Sequence, residues 1–91
     1  MASQIIALER RELYAYCESL PEPIIARPVV IASLGRGMAL ALDCDGQRVT
    51  LTDNGQPCNF SSIDAILYEL DGTSNVDLSR LEVDLSAYWP H

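Results

Sequence analysis

"MALALDCDGQRVTLTDNGQPCNFSSIDAILYEL", residues 38–70, is the stretch from which the fold is read. Residues 38–43 alternate Met38, Leu40 and Leu42 with the small Ala39 and Ala41, the pattern of a strand with both faces closely covered. Residues 48–52 alternate Val49 and Leu51 with Arg48, Thr50 and Thr52, which gives one buried and one wetter face. Between and after them, Asp45-Gly46 and Asn54-Gly55 are residue pairs tolerant of positive φ, so each reads as a hairpin turn. Residues 57–60 read as a short third strand, with Pro57 confined to its start or to an exposed edge because it has no N–H to donate. Ser61 or Ser62 then caps a helix that ends near Asp71, with Gly72 as its stop. Ile63, Ile66, Leu67 and Leu70 form its apolar stripe, and Asp64 sits in the first turn, where the helix dipole favours an acid.

Outward from this stretch, Ser3 is placed to cap a first helix running to about Ser19, with Ile6, Leu13, Cys17 and Leu20 on one face. Pro21 ends it. Residues 28–34 support two readings. Val29, Val30 and Ile31 favour a strand, while Pro28 at a first-turn position and Gly35 past the end favour a short helix, which is the reading preferred. Near the end of the sequence Leu81, Val83 and Leu85 alternate with Glu82, Asp84 and Ser86, a fourth strand. The expected fold over residues 1–91 is a single small α+β domain: an N-terminal helix, a three-stranded antiparallel meander, a crossing helix and a fourth strand. Counting directions puts that last strand parallel to the first and third meander strands after a right-handed crossover. It joins either sheet edge or pairs with another protomer.

Charge narrows the function. Thirteen Asp and Glu stand against six Arg and no Lys, a formal net charge of −7 over 91 residues. Phosphate neutralisation needs basic residues, so direct nucleic-acid binding and attraction to anionic membranes are both disfavoured. Without Lys there is no P-loop and no Schiff-base amine. The single His is His91, a terminal position ill suited to a catalytic constellation. Cys17, Cys44 and Cys58 make no C-x-x-C pair and imply a reducing, cytoplasmic setting. The first residues lack the basic start and apolar run of a secretory signal, and no stretch is apolar for long enough to span a membrane. "DCDG" at residues 43–46 opens like a calcium loop, but position twelve is Asn54 and Asp53 lies roughly 17 Å down an intervening strand. "GRG" at residues 35–37 precedes a strand and opens no helix, so it reads as a connection.

Residues 27–66 resemble small ParC-like, partition-associated accessory proteins of plasmids and integrated mobile elements. The likeness rests on "LGRGMALAL", "GQRVTLTDNGQP" and the helix entry from Phe60 to Ala65. It implies a non-enzymatic partner in plasmid or element maintenance, with no catalytic residues to carry over. Cys58 and Asn59 stand where more basic character is expected.

The expected function is therefore that of an accessory protein acting by protein–protein contact as a homodimer. No catalytic residue, metal site, cofactor or small-molecule substrate is assigned. Exposed strand edges pair readily, so the fourth strand or the first helix is expected to form the dimer seam. Tyr88 and Trp89, with the carboxylates Asp43, Asp45, Glu82 and Asp84, are the candidate partner-binding residues. The alternative is an acidic inhibitor that imitates nucleic acid, with Asp53 and Asp77 adding to those carboxylates.

Overall fold

The computed structural model describes residues 5–89. Its chain order is β1 (Ile5–Glu9), a 3-10 turn (Arg10–Glu12), α1 (Leu13–Glu18), β2 (Arg27–Ser33), β3 (Gly37–Cys44), β4 (Gln47–Asp53), β5 (Gln56–Pro57), α2 (Ile63–Leu70) and β6 (Glu82–Asp84). The architecture is α+β, one six-stranded sheet with two helices. Strand order is β1-β4-β3-β2-β6, with β5 paired to the end of β4. Among the described residues no helix is long and apolar enough to cross a membrane.

The two hairpin turns form as their residues dictate. Asp45 and Gly46 have φ of 51° and 81°, and Asn54 and Gly55 have 53° and 81°. Positive φ at both central positions matches the turn to the right-handed twist of the flanking strands. β3 and β4 pair only from Ala41↔Thr50 to Cys44↔Gln47, and then diverge. The segment after the second turn fills the wedge between them. Cys58 N–H donates to the Leu51 carbonyl at 3.1 Å, and Met38 and Phe60 exchange backbone hydrogen bonds at 3.2 and 2.7 Å. Gly37 makes that insertion possible. Its φ is 80°, and a Cβ there would run into the Asn59 side chain and approach the Phe60 carbonyl oxygen.

Four expectations are corrected. Residues 5–9 are a strand, and only Leu13–Glu18 of the expected first helix is α-helical; Ser3 lies outside the described residues. Ile5–Glu9 runs parallel to β4 in full register from Ile5↔Arg48 to Glu9↔Thr52, satisfying the β4 edge that β3 leaves open. Residues 27–33 are strand β2, so Val29, Val30 and Ile31 outweigh Pro28 and Gly35. The third meander strand shortens to Gln56–Pro57.

The last strand changes direction as well as length. β6 pairs β2 in parallel, Val29↔Glu82 to Ile31↔Asp84, and so runs against β3 and β5. The reason is local. Helix α2 stops after eight residues, and the chain then bonds alongside Ala26, with Ala26 N–H on the Asn75 carbonyl at 2.8 Å and Asp77 N–H on the Ala26 carbonyl at 2.9 Å. This parallel contact of Ala26 with Val76 already sets the chain running alongside β2 in the direction that β6 keeps.

The core lies between one sheet face and the helices. Leu40, Leu42, Val49 and Leu51 project from the sheet toward Leu13, Ile66 and Leu70. A fully buried side chain of this kind contributes ~1.5–3 kcal/mol. The Ser62 hydroxyl accepts the Ala65 N–H at 3.1 Å and fixes the start of α2, an N-cap worth about 1 kcal/mol. Only half of the expected α2 stripe is buried. Ile66 and Leu70 are fully covered, whereas Ile63 and Leu67 are exposed together with Tyr68. Eight residues resting on a narrow strip of sheet leave that flank without cover.

Candidate functional site

The sheet face turned away from the helices carries the polar organisation of the molecule. Arg48 and Asp43 are direct neighbours across β4 and β3. The Arg48 guanidinium donates from Nε to Asp43 Oδ1 at 2.7 Å and from Nη2 to Oδ2 at 2.9 Å, a bidentate pair. Its remaining nitrogen, Nη1, donates to Asp84 Oδ2 at 2.7 Å. Asp84 lies on β6, beyond both β3 and β2. In register, Ala41 and Val29 occupy the diagonal between Arg48 and Asp84. Both are completely buried although they belong to the face away from the helices. The Arg48–Asp84 pair spans the diagonal on which both lie, and long basic side chains lay their methylenes over apolar surface.

Asp84 has a second task. Its Oδ1 accepts the Ser86 N–H at 2.9 Å, and Tyr88 N–H then donates to the Leu85 carbonyl at 3.0 Å. These two bonds fold the chain after β6. The Ser86 N–H first, and then the Arg48 guanidinium, hold the Asp84 carboxyl down to about 2. Arg48 also holds Asp43 below the ordinary carboxylate range.

The turn delivers Tyr88 and Trp89 beside the β2–β3 connection. The two rings meet edge to face, centroids 5.0 Å apart and planes at 86°. Ser33, Leu34, Arg36, Ala87, Tyr88 and Trp89 together line a shallow recess of about 340 Å³. Trp89 is 60% exposed and Leu34 57%. Arg36 has no ion pair among the described residues. Leu34 was not among the candidate residues read from sequence, and Arg36 entered there only as part of the Gly-Arg-Gly connection, not as a partner-binding residue. The signal for them was present, since a leucine leading a Gly-Arg-Gly connection is a large apolar side chain in a turn, with no strand face to bury it.

The structure thus brings Asp43 and Asp84 together around Arg48 and links Asp84 through its turn to Tyr88 and Trp89. It does not assemble the remaining acids into one surface. Asp45 is exposed in the β3–β4 turn, and Asp53 stands at the far end of β4. Glu82 and Asp77 share a recess with Arg27 and Arg80.

A second groove, about 490 Å³, lies between β5 and α2 and includes Arg10, Cys58, Tyr68 and Glu69. Arg10 and Glu69 pair across it. Burial pushes the Cys58 thiol up, which favours the neutral thiol over the thiolate there. Compared with protein-family models, with curated proteins and with solved structures, the chain matches none.

Proposed function

We propose that the chain is a non-enzymatic interaction protein that docks a protein partner on the ledge of Leu34, Arg36, Tyr88 and Trp89, and that it works as a homodimer. The observation that carries this reading is Trp89, 60% exposed and yet fixed by its edge-to-face contact with Tyr88. Trp, Tyr and Arg dominate binding hot spots, and a side chain held in place before association loses little entropy on binding. Arg36 adds a cation to an otherwise apolar ledge and favours a partner segment that sets a carboxylate beside an apolar side chain. The resemblance to ParC-like accessory proteins supplies the proposed setting, maintenance of a plasmid or mobile element.

Affinity capture with wild-type and Trp89→Ala baits, from a lysate of the organism that encodes the chain, tests the docking. A stoichiometric partner held by wild type and lost by the variant is expected. Equal capture by both baits contradicts the ledge. Retention of the encoding element after deletion of the gene tests the setting; unchanged retention removes it. Light scattering across a concentration series tests the homodimer.

A further inference from the structure

The two edges of the sheet are guarded very differently. β6 is three residues long and carries an exposed Glu82, the short, charged form that discourages pairing with another chain. β1 has five residues, Ile5–Glu9, with no Pro, no Lys and a single charge. That charge is turned away from the edge. The Glu9 carboxylate accepts the Thr52 hydroxyl, the Asn54 N–H at 2.8 Å and the Gly55 N–H at 3.1 Å, capping the β4–β5 turn on the inner side of the strand. Among the described residues no backbone group is bonded to the outer edge of β1. An edge strand of this kind sends alternate N–H and C=O groups outward with nothing to repel a second strand.

We infer that β1 is the seam of the homodimer, pairing antiparallel with β1 of a second copy about a two-fold axis at Ala7. The inference rests on the homodimer reading above and names its interface. Self-pairing is favoured because the strand is complementary to itself in this register. Ala7 meets Ala7, Ile6 meets Leu8 and Ile5 meets Glu9, so all five residues are used. Ile6 and Leu8 are paired with Val49 and Leu51 and lie on the core face. A two-fold axis normal to the sheet keeps both core faces on the same side, and the apolar rows of the two copies join into one. Ala7 is exposed on the opposite face, and as the smallest side chain of the strand it allows the two backbones to meet at the axis. The contact is small for an interface, below about 1,200 Å², the size class of weak and transient association. Two copies of −7 repel at long range, and added salt tightens the association.

Sedimentation velocity on the full chain, from about 1 μM to about 1 mM, reads this directly. Wild type is expected to pass from monomer to dimer, with a lower dissociation constant at higher salt. Ala7→Lys sets like charges against each other at the axis and is expected to weaken the dimer at least about tenfold. Trp89→Ala is expected to leave dimerisation unchanged. Hydrogen exchange on wild type supplies a second readout independent of whether the lysine variant folds: outward amides of residues 5–9 slow as concentration rises. A dimer unaffected by Ala7→Lys, or β1 amides that exchange equally fast at all concentrations, overturns the seam while leaving the homodimer standing. A wild-type chain that stays monomeric to about 1 mM overturns both.

Discussion

Arg48 on β4 and Asp84 on β6 hold a 2.7 Å ion pair across the two strands that separate them. Because Asp84 also binds the Ser86 N–H, this pair connects the middle of the sheet to the turn that seats Trp89. Arg48→Met is therefore expected to lower stability by about 2 kcal/mol, since it leaves two half-buried carboxylates without their shared donor. It should also loosen the Tyr88–Trp89 contact. Urea denaturation reads the first effect and near-ultraviolet circular dichroism of the sole Trp reads the second. Unchanged values in both would show that the ion pairs are incidental.

Acid should act through the same residues. Asp84 is held to about 2, by the Ser86 N–H and then by Arg48, and Asp43 is held down by Arg48. An unfolded aspartate titrates near 3.9. A carboxylate that titrates lower when folded contributes stability that is full above the unfolded value and lost as pH falls toward the folded one. The urea midpoint is expected to fall between about pH 4 and about pH 2, with a shallower fall in Arg48→Met. Equal acid sensitivity in the two proteins would place the effect elsewhere.

The cysteines give an alkaline counterpart. Burial pushes the Cys17 thiol up to about 11, and burial raises Cys44 and Cys58 as well. Unfolded thiols ionise near 8.5, so the unfolded chain gains from ionisation first. Stability is full below about pH 8.5 and declines as pH rises toward 11. An aromatic disulfide reagent at neutral pH should label the native protein slowly and the urea-unfolded protein at once. Rapid labelling of the native state would contradict the buried, unionised thiols.

These features were legible in the sequence to different degrees, for physical reasons. Asp45-Gly46, Asn54-Gly55 and the α2 cap are local devices, and each formed where its residues indicated, with Ser62 the capping side chain. Residues 5–9 misled because Ile6 shares helical spacing with Leu13 and Cys17, which do lie on a helix. Only the open edge of β4 makes the segment a strand, and that edge is a tertiary fact. The same holds for Ile63 and Leu67, whose stripe is sound as a pattern but extends past the surface available to bury it. Within the candidate site, Asp43, Asp84, Tyr88 and Trp89 could each be named, but their connection could not. Arg48 joins them only because β6 folds to the far side of β2, an order that no spacing in the sequence encodes.

On the proposed function, Trp89 and its ledge are where this protein meets its partner. Trp89 is the sole Trp of the chain, so its emission reports the ledge without labelling. The direct measurement is a fluorescence titration of the chain with the partner recovered by capture, monitored with a partner fragment or analogue free of Trp. A blue shift and protection from acrylamide are expected on binding, with affinity lost in Trp89→Phe and Leu34→Ser and kept in Ala7→Lys. Saturable binding with Trp89 emission and quenching unchanged would contradict it.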